Sequence, residues 1–450
     1  MLITNGRIVT WGNPSRLIDN GAVRIIGGII GDLGTTLELK QKYPDETIED
    51  AAGALVMPGN ICAHTHFYGA FSRGMAIPGN PARNFPEILD KLWWPLDKAL
   101  DTGDVRASAQ VCLIDAIRHG TTTLFDHHAS QTAISGSLAE IAAVADEAGL
   151  RTVLCYEVTD RDGRERMQEG VRENTDFIET VKRTNPGNGR IKAAFGLHAS
   201  LTLSEQTLDE VRSAAPDDAG FHLHVAEHSV DEYDSLDRHG MRIVERLEKH
   251  RLLNPNSILA HCVHIDAHEM ELVKQSGAWI THQPRSNMNN GVGVAPVESM
   301  TAMGIPVCLG NDGFSNAMWE EWKTAYLLHK AWNMDPRRMP GDLVLKLAVE
   351  HNRQLAKQYF DQPLGIIEPG ASADLILVEY QPFTELTAGN IPWHILFGFR
   401  DSMVKATMVA GKWLMKDRLI LTMDEEKMCA DALQRSGKTW ERYAKRMKQG

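Results

Sequence analysis

Apolar residues along the chain gather in two alternating kinds of segment. Eight short runs rich in β-branched and aliphatic side chains recur at residues 54–66, 121–128, 152–158, 191–198, 220–227, 257–264, 278–282 and 305–312. They are apolar almost throughout rather than at every second position, the pattern of strands buried on both faces of a parallel sheet. Between most of them lie stretches whose apolar positions return every three or four residues, at 137–150, 206–215, 240–253, 267–277 and 297–303. That is the spacing of helices with one packed face. Eight strands alternating with helices predict an α/β chain built as a (β/α)8 TIM barrel over residues 55–362.

The chain ends have a different texture. Residues 1–54 and 363–423 carry short runs separated by glycine turns, at 2–10, 21–33, 373–378, 404–410 and 412–415. Together the ends predict one small β-sandwich domain beside the barrel. Residues 424–450 are mostly polar with helical apolar spacing and predict a C-terminal helix. It is either docked on its own chain or used as a contact in a homo-oligomer.

Composition narrows the partners. With 450 residues, 43% hydrophobic and 24% charged, the chain has ordinary globular usage and room for a barrel plus a satellite domain. The 59 acidic against 47 basic residues give a net charge of -12. A surface of that sign repels polyphosphate, which argues against a nucleic acid polymer and leaves a single base or nucleoside open. No apolar run approaches the ~18 residues of a membrane span, and no basic segment followed by an apolar one opens the sequence. A cytoplasmic protein with no membrane partner is expected. Cys62, Cys112, Cys155, Cys262, Cys308 and Cys429 lack any CxxC pairing and are expected as buried reduced thiols.

The polar residues inside the apolar runs carry the chemistry. His64 and His66 share one face of the first run, because side chains two apart in a strand point the same way. By itself that pair is weak, since about 0.7 such pairs are expected by chance at this histidine content. The argument gains weight because most of the other runs also end in groups that bind metal or move protons. They are Asp126 with His127 and His128, Glu157, His198, His224 with Glu227, His261 with His264, His282, and Asp312. The C-terminal rim of such strands is where barrel active sites sit, and burying so many ionisable groups without a use is costly.

These residues fall within motifs that resemble the amidohydrolase superfamily, in its branch of aminohydrolases and chlorohydrolases. The resemblance spans essentially the whole chain. It rests on Met57-Pro58-Gly59 leading into His64-Thr65-His66, on Ser72-Arg73-Gly74, on Gly120-Thr121-Thr122-Thr123 and on His224-Val225-Ala226-Glu227. It continues through Ala260-His261-Cys262-Val263-His264, Pro284-Arg285-Ser286-Asn287 and Leu309-Gly310-Asn311-Asp312-Gly313. A narrower likeness within the branch is carried by Leu92-Trp93-Trp94, Asp126-His127-His128 and Thr159-Asp160-Arg161. The resemblance implies His64, His66, His224 and Asp312 as ligands of one divalent metal, with Glu227 and His261 beside its water. Three imidazoles and a carboxylate suit Zn²⁺ first and Fe²⁺ second. The fourth run ends Gly196-Leu197-His198, without the lysine that bridges two metals in binuclear relatives, so a single metal is expected.

Roles follow from charge and position. Asp312 is expected to take a proton from the water, His261 to orient it, and Glu227 to hand a proton to a ring nitrogen. His198 and His282 are expected to donate to substrate, unless they bond to one another or to supporting groups. Arg73 and Arg285 either bind substrate or brace loops, and one of Trp93 and Trp94 covers a flat ring while the other is core. His127, His128 and Glu157 receive no role. The substrate expected is a small nitrogen heterocycle such as a purine or pterin, hydrolytically deaminated with release of ammonia. The alternatives are loss of chloride or opening of a cyclic amide on the same site, and a catalytically silent scaffold, against which the complete ligand set argues. The chain has Gln283-Pro284 and Asn311-Asp312-Gly313 where many relatives have Asn-Pro and Thr-Asp-Gly, departures that fall on the substrate side.

Overall fold

A computed structural model describes residues 1–187 and 189–448. Five parallel strands lie side by side in chain order: Phe195–Ala199, Phe221–Val225, Ile258–His261, Trp279–His282 and Val307–Leu309. Four others, Asn60–Thr65, Thr121–His128, Arg151–Tyr156 and Ile191–Ala193, make a second parallel sheet. The sheets meet along both pairs of edges. Ile191–Ala193 runs on through Ala194 into Phe195–Ala199, and a parallel bridge joins Val158 to Leu197. On the far side a bridge joins Thr65 to Asp312, and the backbone N–H groups of Asn311 and Asp312 donate to the His64 carbonyl at 3.0 and 3.1 Å.

Two glycines allow this closeness. A Cβ on Gly196 would stand 2.3 Å from the Tyr156 carbonyl oxygen, and one on Gly310 would stand 2.7 Å from that of His64. Any side chain at either place would push the neighbouring strands apart. Gly310 thus sets how near Asp312 comes to His64 and His66.

Helices cover the strands with their apolar faces. In Ala267–Ser276, Asp266 accepts from the Glu269 backbone N–H at 2.9 Å while Glu269 accepts from that of Asp266 at 3.0 Å. This reciprocal cap contributes about 1 kcal/mol, and Met270, Leu272 and Val273 bury the other face. The region 240–253, expected as one helix, differs. Gly240 adopts φ 69° and closes the helix Ser229–His239, and a new one starts at Ile243–Lys249. A left-handed glycine is a common helix stop.

The chain ends pair in one nine-stranded sheet rather than two separate ones. Its order is Leu419–Ile420, Lys412–Lys416, Val404–Val409, Leu375–Val378, Leu55–Pro58, Leu2–Val9, Leu17–Ile26 and Ile29–Thr35, with Ile48–Asp50 also on Leu2–Val9. The run expected as a single first strand is therefore divided. Leu55–Pro58 belongs to the terminal sheet, and Asn60–Thr65 turns away after Gly59, where a Cβ would meet Thr122 at 2.3 Å.

A buried ion pair fastens this sheet to the parallel strands. Arg151 Nε donates to Asp374 Oδ2 at 2.6 Å with both side chains at most 2% exposed, and Ser372 Oγ and the Ala410 N–H donate to Asp374 Oδ1 at 2.8 Å. Removing one partner strands the other charge in a dry site. Asp374→Ala is expected to lower unfolding stability by about 3–5 kcal/mol, which a denaturant titration would register. A loss below about 1 kcal/mol would mean that Arg151 finds water or another acceptor.

The helix Glu425–Met447 docks on its own chain. Arg442 pairs with Asp104, Trp440 Nε1 donates to the Phe71 carbonyl at 2.7 Å, and Tyr443 is buried. Cys62, Cys155, Cys262 and Cys308 are buried and unbridged; Cys112 is half-buried and Cys429 exposed, because the latter lies on the outer face of this helix. Among the described residues no helix is long and apolar enough to cross a membrane.

Candidate functional site

The C-terminal ends of the parallel strands bring His64, His66, His224, His261 and Asp312 together. The hydrogen bonds behind each imidazole decide which nitrogen faces inward. His66 Nδ1 donates to the His127 carbonyl at 2.6 Å, and His224 Nδ1 donates to the His198 carbonyl at 3.0 Å. His261 Nδ1 lies 2.8 Å from Asn287 Oδ1, which accepts from it, and His64 Nδ1 is 2.8 Å from His222 Nε2. With each Nδ1 carrying the proton, four Nε2 lone pairs converge on one buried place. The Nε2 atoms of His66 and His224 are 3.1 Å apart, and those of His64 and His261 have no hydrogen-bond partner.

Converging lone pairs repel unless a cation lies between them, and fixing the tautomer from behind is how proteins aim histidine ligands. Asp312 completes the set, with Oδ1 3.0 Å from His66 Nε2 and 3.9 Å from His64 Nε2. Burial holds His64, His222 and His224 well below the ordinary histidine value, so they stay neutral, as a metal ligand must. At His66 burial acts the same way, but the Asp312 carboxylate outweighs it and raises the ring to about 9. A proton there plays the part that a metal cation plays between the same two atoms. The donor set fits a divalent metal.

The backbone is held in unusual conformations at this rim. Asp312 and His261 adopt φ 57° and 74°, and Ala226 φ 48°. Non-glycine residues in the left-handed region cost about 1–3 kcal/mol each and cluster where a side chain must be aimed.

Three groups able to move protons, Glu227, His261 and Asp312, stand together here. Glu227 Oε2 is 3.5 Å from His261 Nε2, whose distance to Asp312 Oδ2 is 3.7 Å. Glu227 Oε1 accepts from Asn290 Nδ2 at 3.1 Å, and Asp312 Oδ2 accepts from Ser286 Oγ at 2.6 Å. Burial pushes Glu227 up, with the Asp312 charge adding to it and the His261 ring opposing.

A cavity of about 550 Å³ opens over these groups. His66, His224, Glu227, Asp312, Arg73, Trp93, His198 and Arg285 all line it, whereas His282 does not. His282 Nε2 instead faces His329 Nε2 at 3.2 Å in the packed interior. Arg285 is a loop brace. Its guanidinium is taken up by Glu320, Glu321 and the Ser315 carbonyl at 2.5–2.7 Å. His198 shows an acceptor rather than the expected donor: Thr202 Oγ1 donates to the Ala199 carbonyl and so must accept from His198 Nδ1, leaving Nε2 bare. Trp93 lies against Gly69 and Gly313 at the cavity wall, where neither glycine has a side chain to hold it off.

The residues without a sequence-based role lie around these rings, His127 and Glu157 in one buried group with His66 and His224, and Glu157 also on the cavity wall. His127 Nε2 donates to the His222 carbonyl at 2.9 Å, and its Nδ1 stands 3.1 Å from Glu157 Oε1. His128 bonds to Ser130 Oγ at 2.9 Å. Sequence reasoning gave no site role to Asn287, Asn290 and His222. Asn287 was visible only as the end of Pro284-Arg285-Ser286-Asn287, and Asn290 lies one helical turn beyond it on Pro284–Asn290.

Converging imidazoles and a carboxylate beside the buried Glu227, at the mouth of parallel strands, are the make-up of a metal-dependent hydrolase. The amidohydrolase family model matches residues 55–414. A 5'-deoxyadenosine deaminase of Methanosarcina mazei is 30% identical over 96% of both chains. A 5-methylthioadenosine/S-adenosylhomocysteine deaminase of Pelotomaculum thermopropionicum is 30% identical over 97% of this chain and 98% of that one. Among solved structures, an adenosine deaminase from Xanthomonas campestris with bound zinc superposes with a TM-score of 0.85 at 23% identity, covering 100% of this chain and 98% of that one. The chain belongs to the amidohydrolase family.

Proposed function

We propose that the protein is a hydrolytic deaminase of an aminated nitrogen heterocycle such as a purine or pterin, using one Zn²⁺ held by His64, His66, His224 and Asp312. The two parallel sheets, joined along both pairs of edges, are read here as one (β/α)8 barrel, which puts the site at its C-terminal mouth. A single observation carries the reading: the Nε2 atoms of His64, His66, His224 and His261 converge with Asp312, and His66, His224 and Asp312 line a cavity that also holds Glu227, whose proton burial favours. The deaminase names of the relatives agree with it.

When bound, a divalent cation lowers the pKa of a water toward neutrality and so provides a nucleophile at pH 7. The rest belongs to this chain. Asp312, held through Oδ2 by Ser286, takes the water's proton on its carboxylate. His261, fixed by Asn287, keeps its Nε2 as an acceptor that orients the attacking oxygen. Glu227 delivers its proton to the ring nitrogen beside the amino-bearing carbon, Asp312 passes the water's proton to the amino group, and the carbon–nitrogen bond breaks to release ammonia while the remaining hydroxyl proton returns to Glu227 and leaves a ring carbonyl. Asn290 stays on Glu227 Oε1 and leaves Oε2 for the transfer.

The test is an ammonia-release assay of the metal-loaded protein on adenosine, 5'-deoxyadenosine, guanine, a pterin and a chlorotriazine. Release of ammonia from at least one is expected; release of chloride only would replace deamination with dechlorination. Purified protein should carry about one Zn²⁺ per chain, and a chelator should remove it together with activity, restored by adding the metal back. Two tightly held metals per chain would overturn the ligand assignment.

A further inference from the structure

One end of the cavity holds a polar pair that the reaction above does not use. Arg161, in the loop that follows the strand Arg151–Tyr156, and Asp97, at the end of the helix Trp94–Asp97, both line the cavity and are 8% and 3% exposed. Arg161 Nη2 donates to Asp97 Oδ2 at 2.7 Å, and Arg161 Nε donates to Thr159 Oγ1 at 3.2 Å. The remaining members of the pair, Arg161 Nη1 and Asp97 Oδ1, are buried with no partner. The Arg161 guanidinium also lies over the Trp94 ring, 5.0 Å from its centroid.

A buried guanidinium N–H and a buried carboxylate oxygen each cost about 1–3 kcal/mol if left unmet, so a pair keeping one of each free is built for something that brings both. The charge around it selects the kind of ligand. Asp97, Glu157 and Asp162 all act electrostatically on Arg161, and Asp162 has a second cation, Lys98, so a carboxylate or phosphate would meet more like charge than opposite. A neutral group offering an acceptor next to a donor meets neither penalty. The guanidinium is itself a planar fork beside an aromatic ring, and the planar edge of a ring amide matches such a fork better than two hydroxyls on a puckered sugar.

We infer that Arg161 and Asp97 read the cis-amide edge of an oxo-substituted heterocycle, Arg161 Nη1 donating to the ring carbonyl and Asp97 Oδ1 accepting from the adjacent ring N–H. The inference rests on the deaminase reading and narrows it to amino rings that also carry a lactam. Arg161 is then a specificity-determining residue, and its neighbours Thr159 and Asp160 hold its loop. Asp160 does so by accepting from Ser204 N at 2.6 Å and Thr207 Oγ1 at 2.7 Å.

Equilibrium binding to the metal-loaded protein tests this without turnover. Hypoxanthine presents the lactam edge and has no amino group to lose, and purine lacks the edge. Wild type is expected to bind hypoxanthine about 10–100-fold more tightly than purine, the scale of a pair of charge-assisted hydrogen bonds. Arg161→Met should bring the two ligands level. Arg161→Lys, which keeps the charge for Asp97 but offers no fork, should do the same and guards against a folding defect in the first variant; metal content and melting temperature verify both. No preference in wild type, or a preference that survives both variants, overturns the inference. So does a loss confined to adenosine relative to adenine, which would place a ribose diol on the pair. Ammonia release from none of the ring substrates, with the hypoxanthine preference present and erased by both variants, would remove the deaminase reading and leave the edge assignment standing.

Discussion

Glu227→Gln is expected to keep its metal and lose roughly 10²–10⁴-fold in kcat, the range for a missing general acid or base. Glu227 follows the strand Phe221–Val225, three residues after His224, and Ala226 between them adopts φ 48°. That left-handed step turns the chain so that Glu227 faces the cavity beside the ligand atoms. Glu227 is 7% exposed, and burial raises its pKa, which favours the proton it must give. Glutamine preserves the shape and keeps an oxygen for Asn290 Nδ2, but has no proton to deliver. Substrate affinity should therefore survive while turnover fails. Metal analysis and steady-state kinetics separate the outcomes. A change in KM alone would make Glu227 a binding residue, and loss of metal would make it a ligand.

His66→Ala is expected to cost more, at least about 10³-fold in activity, with loss of the metal. The ring supplies the Nε2 that lies closest to the other candidate ligand atoms, 3.0 Å from Asp312 Oδ1 and 3.1 Å from His224 Nε2. Truncation opens the ligand set on the side of Glu157 and leaves Asp312 Oδ1 without its nearest imidazole. The fold should persist, because the main hydrophobic cluster runs through the helices and strands independently of this ring. Circular dichroism close to wild type, with metal below a tenth of the wild-type occupancy, would fit this expectation; full occupancy would remove His66 from the site.

Much of this site could be read from the chain alone, and the readable part shares one physical basis. Strand periodicity is local, so the two-residue spacing of His64 and His66 fixes their common face wherever the strand packs. The rim position of His224, Glu227, His261 and Asp312 follows from their falling at the ends of apolar runs. Apolar spacing predicts one continuous helix over 240–253 because it persists across Gly240, whose φ only the packed structure reveals. The division of the first run at Gly59 was hidden for a related reason: Leu55–Pro58 and Asn60–Thr65 are equally apolar, and their different partners lie hundreds of residues apart.

What the sequence determined by itself was which residues could do chemistry and at which end of their strands they stand, because both follow from residue type and local repeat. Only the tertiary structure decided their partners. It turned His282 toward His329, spent the Arg285 guanidinium on Glu320 and Glu321, set His198 as an acceptor, and paired Arg161 with Asp97 across 64 positions. A hydrogen bond is a short-range contact between buried groups that have given up water, so each partner is chosen by what packing brings within about 3 Å, a distance that no spacing along the chain encodes.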